Sequence, residues 1–488
     1  MEPDGMTAGA LLAQLGAGDV SAVELLDWFV ARHAALNERL NAIVATDFDH
    51  ARQRARAADD ARARGESWGP LHGLPLTLKD NIETVHLPTT YGVPRYADYM
   101  AAANADVTQL LLDAGAIVFG KTNMPEFGTD TQTFNDLYGQ TNNPWDLQRT
   151  PGGSSGGAAA ALAAGLTPLE IGNDIGGSIR LPAHFCGVYG HKPSYGLVSL
   201  RGPKPWELQH ADYPYEADLL VNGPLARSAG DLALAMEVIT GPVPGYRGTP
   251  LSALPRPRSD SLAGFRVGVW LDDPEYPPDG EVAAVLQAFV DRLAATGARI
   301  VERRPDISLK RAHQMRNELE CATLSHTWPR DVYEQAVQQA QDEAPRDSGA
   351  LSWAAATTMR YRQWYDLNRE RLIVRQQWHD YFRDVDVLLC PVARIAAHAH
   401  DHTPLTERMA QVDAGDSPYW PVMGPWNAPA LVAWLPATVA PVGLTPAGLP
   451  VGVQIVGDYL EDNTPLQFAQ LLQRELLGPL RQPPGFEV

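Results

Sequence analysis

The chain reads as an α/β protein folded as one large unit with a helical excursion. Three observations carry that reading. Short apolar runs alternate with helical patterns from 71 to 125, the rhythm of strands joined through helices. A strand, a glycine-rich loop and a helix occur together twice, around Pro151-Gly152-Gly153-Ser154-Ser155-Gly156-Gly157 and around Gly172-Asn173-Asp174-Ile175-Gly176-Gly177-Ser178-Ile179-Arg180. Hydrophobic residues make up 45% of the 488 positions, ample for a large buried core; the length alone would allow two or three average domains.

Taken in order, residues 7 to 60 read as two amphipathic helices. Leu11, Leu12 and Leu15, then Val23, Leu25, Leu26, Phe29 and Val30, recur at helical spacing. Ser21 with Glu24 forms a capping-box pattern. Leu74–Leu78 is a buried strand, Val107–Ala114 a helix and Ala116–Phe119 a strand. Ala158–Ala164 follows as a small-sided helix, and Leu169–Gly172 as a strand. Pro242 to Pro257, rich in proline and glycine, is a linker or surface loop. Phe265–Trp270 and Ala298–Val301 read as strands around a helix at Val282–Ala295. A long helical region from Ile307 to Phe382 carries Trp328, Trp353, Trp364 and Trp378, read more as core than as pocket. Val385–Leu389 and Thr438–Pro441 are late buried strands, and a helix near Leu466–Leu477 packs onto the sheet. The expected organisation is amino-terminal helices over 7–60, a catalytic core over 70–240, a variable helical part over 241–385 and a carboxy-terminal core segment over 386–488, all within one domain.

The two glycine loops carry the chemistry. Glycine lets a backbone approach a ligand closely, so Ser154 and Ser178 can each present a hydroxyl beside free backbone N–H groups. A nucleophile for acyl transfer with a built-in oxyanion hole needs that arrangement. A histidine steered by a carboxylate is the usual activator, and 13 histidines do not exclude it. The Gly-x-Ser-x-Gly elbow is not cleanly present, however, because Ile179 and Arg180 follow Ser178. Lys79 is the better base. It ends the apolar run Leu74-Pro75-Leu76-Thr77-Leu78, and lysine is rarely buried without a partner or a task. Desolvation lowers its pKa and supplies a neutral amine. A phosphate loop would need Gly-Lys-Ser/Thr after the glycines, and a dinucleotide fingerprint its downstream acidic partner; neither is present.

Lys79, Ser154 and Ser178 resemble the Ser-cisSer-Lys triad of the amidase signature family. The resemblance covers the Gly-Gly-Ser-Ser-Gly-Gly loop, the run Asp174-Ile175-Gly176-Gly177-Ser178-Ile179-Arg180-Leu181-Pro182-Ala183 and the lead-in to Lys79-Asp80. It also takes in Gly120–Glu126, Asn142–Trp145 and Gly448–Gly457, and so nearly the whole chain. It implies a large central mixed sheet flanked by helices. It implies a cis Gly153–Ser154 peptide, Ser178 as nucleophile, and Lys79 relaying protons through Ser154. The backbone amides of Ile175, Gly176, Gly177 and Ser178 would form the oxyanion hole. Ser155, Asp174 and Arg180 would support the loop, and Gly128, Thr129 and Ser154 would touch substrate. Lys121 is expected to be a surface or loop-anchoring cation rather than a base. The family uses no metal and no cofactor; the loop His398-Ala399-His400-Asp401-His402 is read as exposed histidines, since its spacing is poor for a metal.

Substrate and setting follow less directly. The net charge of −19 argues against nucleic acid as a partner. The arginines from Arg52 to Arg64 read as a solvated helix face. Cys186, Cys321 and Cys390 form no disulfide framework. No signal peptide and no apolar run long enough to span a membrane is evident, so a cytoplasmic location is expected. Its partner would be a small-molecule amide, with the oligomeric state open, a homodimer included. The pocket is expected from Phe127-Gly128-Thr129-Asp130, from the stretch Gly202 to Leu220 and from helices of the 310–380 region. That stretch holds Trp206, Tyr213, Tyr215, the carboxylates Asp212, Glu216 and Asp218, and the lone lysine Lys204. Such a lining favours an apolar or aryl amide over a free amino acid, whose carboxylate wants a fixed cation. The competing enzymatic reading is the glutaminase subunit of a glutamyl-tRNA amidotransferase. Leu181 and Asn173 depart from that pattern, which usually has glutamine and serine there. A third reading, an inactive structural homologue, would be expected to lose one of Lys79, Ser154 and Ser178.

Overall fold

A computed structural model describes residues 7–202, 217–241, 251–301, 303–343 and 350–486. Eleven strands form one continuous mixed sheet. They are β1 (Ile43–Thr46), β2 (Pro75–Lys79), β3 (Ile117–Thr122), β4 (Leu169–Asp174), β5 (Tyr189–Lys192), β6 (Val221–Ala226), β7 (Arg266–Val269), β8 (Arg299–Val301), β9 (Val387–Pro391), β10 (Ala437–Leu444) and β11 (Pro450–Val456). Their spatial order is β1-β3-β2-β4-β6-β5-β10-β11-β9-β7-β8. The β3, β2 and β4 strands run parallel, as do β9, β7 and β8 at the other side. Between them β6, β5, β10 and β11 pair antiparallel. Helices cover both parallel portions, as such strands require. Every residue of β2, β3 and β4 is buried.

The amino-terminal region holds three helices rather than two: Ala8–Ala17, Ala22–Leu40 and Phe48–Ala63, with β1 between the last two. The capping box forms as expected. Ser21 Oγ accepts from the Glu24 amide at 3.1 Å, and Glu24 Oε2 accepts from the Ser21 amide at 2.9 Å. The third helix hides behind its composition. Its buried stripe is Ala51, Ala55, Ala58 and Ala61, a pattern that large apolar residues do not announce. Two arginines on it also turn inward: Arg54 Nε donates to the Ala116 carbonyl at 2.7 Å, and Arg62 Nη1 to that of Leu15 at 2.5 Å. The face is therefore only partly solvated.

Between β8 and β9 lie the helices Leu309–Leu324, Arg330–Asp342, Trp353–Thr357 and Tyr361–Phe382. They stack over one end of the sheet instead of extending it. Trp378 is core, stacked on Phe382 at 5.6 Å between centroids. Among the described residues no helix is long and apolar enough to cross a membrane. The sequence-predicted pocket residues Lys204, Trp206, Asp212, Tyr213, Tyr215 and Glu216 lie outside the described residues, as does most of the Pro242–Pro257 segment.

Candidate active site

Lys79 closes β2 and Asp174 closes the adjacent parallel strand β4, so both side chains sit at the carboxyl ends of the strands, where open α/β sheets place their ligands. The first glycine loop arrives beside them and runs straight into the helix Gly156–Ala163. That helix can start there only because Gly157 has no side chain: a Cβ would collide with the Asn123 amide nitrogen. The Gly153–Ser154 peptide is cis. Lys79 Nζ lies 2.7 Å from Ser154 Oγ. The Ser155 amide donates to the Ser178 carbonyl at 3.1 Å and ties the two glycine loops together. Ser154 and Ser178 open into one cavity of about 650 Å³. Gly128 and Thr129 line the same cavity, and a Cβ on Gly128 would stand 3.4 Å from Ser154 Oγ.

The second loop is clamped by a buried ion pair. Arg180 Nη2 and Nε each lie 3.0 Å from the Asp174 carboxylate oxygens, and both side chains are fully buried. The same carboxylate accepts from the amides of Gly177 at 2.8 Å and Ile179 at 3.1 Å. Arg180 continues outward to Gln454 Oε1 at 2.6 Å and to the Asn427 carbonyl at 3.0 Å. Of the four amides expected to face an oxyanion, that of Gly177 donates to Asp174, and those of Ile175, Gly176 and Ser178 have no such bond to it.

The amidase family model matches residues 24–466. The chain belongs to the amidase family. It is accordingly a hydrolase of carbon–nitrogen bonds. It is 34% identical to a glutamyl-tRNA(Gln) amidotransferase subunit of Synechococcus sp. (strain CC9605), over 96% of each chain. Among solved structures, one from a vestigial protein complex that bears on the origins of an s-triazine catabolic enzyme superimposes with a TM-score of 0.81. It is 29% identical and covers 98% of this chain and 100% of its own. A 6-aminohexanoate cyclic dimer hydrolase follows at 0.79 and 26% identity, covering 98% and 99%.

The electrostatics of the amidase site are set by burial. Lys79 is fully enclosed, and desolvation brings its pKa from 10.5 to about 7 against the pull of Asp174, Glu170 and Asp80. Burial likewise pushes Glu170 up to about 8, and the Thr77 and Thr122 hydroxyls cap its carboxyl group. Burial would raise Asp174 too, but the Arg180 charge and hydrogen bonds outweigh it and hold the pKa at about 2. Lys121 is buried rather than superficial. Its Nζ donates to the Asp80 carbonyl at 2.7 Å, which anchors the turn after β2.

The amidase cavity wall is largely apolar, with Tyr91, Phe127, Leu324, Trp328, Trp353 and Trp420. Two of the four tryptophans singled out in the helical region therefore face the cavity. Trp420 and the helix residues Arg316 and Glu320 escape sequence reasoning. Arg316 is 2% exposed and presses on the second glycine loop: a Cβ on Gly176 would run into its Nη2. Its charge is balanced by Glu320 at 2.8 Å. Nothing local in sequence marks such a residue. Asp218 is occupied elsewhere, by Arg371 Nη1 at 2.5 Å and Trp434 Nε1 at 3.1 Å. In the histidine loop His402 is exposed, as expected, while His398 and His400 are half-buried. His398 bonds Tyr419 Oη at 3.0 Å, and His402 stacks on Phe134 at 4.0 Å. Among the described residues no group of three histidine, cysteine or acidic side chains could hold a metal.

Proposed function

We propose that the chain hydrolyses a carboxamide C–N bond through an acyl-enzyme on Ser178. The observation that carries the reading is the buried Lys79 amine, 2.7 Å from the Oγ of Ser154, which lines one cavity together with Ser178. With the amine neutral, Ser154 donates its proton to Lys79 and accepts one from Ser178. The Ser178 oxygen attacks the amide carbon, and the oxyanion is met by the amides of Ile175, Gly176 and Ser178. The relay then returns the proton to the departing nitrogen as the C–N bond breaks, because an amide needs an acid at that step. Water enters by the same relay, the ester bond to Ser178 breaks and the carboxylic acid leaves. All three relay residues are in place, which argues against an inactive homologue.

Two substrate classes compete. Glutamine, the substrate of a glutaminase, is supported by the curated relatives, which are glutamyl-tRNA(Gln) amidotransferase subunits at 34% identity over nearly the full chain. Arg316 adds weight, because it supplies the fixed cation that an amino-acid carboxylate wants. A small aryl or aliphatic amide is supported by the aromatic wall of Phe127, Trp328, Trp353 and Trp420, and by the Glu320 carboxylate that already balances Arg316. Of the two, the relatives weigh more toward glutamine. A panel of anilides, fatty amides, amino-acid amides and free glutamine, ranked by kcat/KM, tests this. Glutamine well ahead of the rest establishes the glutaminase reading and calls for a search for partner proteins by co-purification; anilides or fatty amides well ahead establish the other.

A further inference from the structure

The base candidate has a second contact. Besides Ser154, Lys79 Nζ reaches Asn173 Oδ1 at 2.7 Å. Asn173 is itself held: its Nδ2 donates to Asn81 Oδ1 at 3.0 Å. That bond fixes which end of the Asn173 amide faces the lysine, since Nδ2 is spent on Asn81 and only the oxygen remains. Both asparagines lie on the cavity rim, 5% and 9% exposed. The two come from the turns that leave adjacent parallel strands, Asn81 just after β2 and Asn173 at the end of β4.

A neutral amine has two N–H groups and one lone pair. If one N–H is committed to Asn173, rotation about the Cε–Nζ bond is restricted and the lone pair can be held toward Ser154. The acceptor is also uncharged. A carboxylate in the same place would stabilise the ammonium form and empty the lone pair. The charged groups around the amine are otherwise engaged. Asp174 on β4 is spent on Arg180, Glu170 on β4 on the two threonine hydroxyls, and Asp80 after β2 on the Thr90 hydroxyl at 2.8 Å and the Gly92 amide at 3.2 Å. On β3, Lys121 donates to backbone. Apart from Ser154 itself, Asn173 is therefore the acceptor in direct contact with Nζ, and its amide carries no charge.

We propose that Asn173, steadied by Asn81, is a positioning residue that orients the Lys79 lone pair toward Ser154 while leaving the amine neutral. This rests on the Lys79–Ser154–Ser178 relay proposed above. A fluorophosphonate probe reads it without knowledge of the substrate, by the rate of serine labelling across pH 5.5 to 10 in the full chain. The wild type should label faster as pH rises and then level off, and Lys79→Ala should lose that rise. Asn173→Asp should move the rise upward by at least one pH unit, a loss of about fivefold or more at pH 7, with a plateau close to wild type. Asn173→Ala should lower the plateau at least tenfold, and Asn81→Ala several-fold, with thermal unfolding unchanged in the Asn81 variant. An Asn173→Asp profile that superimposes on wild type, or full-rate labelling in Asn81→Ala, overturns the inference and leaves the relay standing. A wild-type profile retained in Lys79→Ala overturns the relay and the inference together. Should Asn173→Asp fail to fold, Asn81→Ala alone decides.

Discussion

A lysine that must work as a base at neutral pH has to shed its proton there, and at Lys79 burial does this rather than a neighbouring cation: desolvation takes the amine to about 7 although three carboxylates nearby pull the other way. The sign of the pH effect follows. Below pH 7 the ammonium form grows and has no lone pair, so kcat/KM for an amide should climb through about pH 7, level above pH 8, and stand about tenfold below its plateau at pH 6. A flat profile between pH 6 and 8.5 would contradict the assignment. Lys79→Ala should reduce amide hydrolysis at least a hundredfold and ester hydrolysis far less, because an ester leaving group needs little acid help. Parallel losses on both substrates would make Lys79 a structural residue. The candidate base and both serines are legible because their surroundings are local: an apolar run before the lysine, glycines beside each serine. Asn81, Asn427 and Arg316 are not, because their importance depends on partners in distant segments.

At the scale of elements, the nucleophile loop is held by charge as much as by glycine. Asp174 and Arg180 are fully buried and hold four polar partners, the Gly177 and Ile179 amides of the loop, the Asn427 carbonyl and Gln454 of β11. Arg180→Leu leaves an unpaired carboxylate in the interior and should cost about 3–5 kcal/mol, read as a lowered denaturant midpoint with unchanged slope. A loss under 1 kcal/mol would show that solvent reaches the pair. The histidine segment 398–402 carries the opposite expectation. His398 is engaged with Tyr419 and His402 with Phe134, so dialysis against a chelator should leave hydrolysis unchanged, and activity lost there and restored by zinc would overturn this. Strands with large apolar runs, such as β2 and β9, are plain in the sequence. The helix Phe48–Ala63 is not, because alanine buries a surface without giving a strong periodic signal, and neither is the short β5, whose buried residues include the polar His191 and Lys192.

For the molecule as a whole, an α/β unit is readable from the alternation of strands and helices, but the sheet order is not. Strand β6 comes far after β4 in the chain yet pairs with it, and β10 and β11 are drawn into the middle from the carboxy-terminal end. Through that closure Gln454 reaches Arg180 and, through it, the nucleophile loop. The segment between β8 and β9 then lines the cavity with Arg316, Trp328 and Trp353, so the candidate serines and much of the aromatic cavity wall come from separate regions of the chain. The central claim is that this assembly makes one serine, Ser178, the nucleophile. Reaction with a fluorophosphonate at pH 8, followed by intact-mass measurement and peptide mapping, tests it most directly. A single adduct on Ser178, absent from Ser178→Ala, is the expected result; an adduct on Ser154 or any other serine, or labelling that survives Ser178→Ala, would rule Ser178 out as the nucleophile.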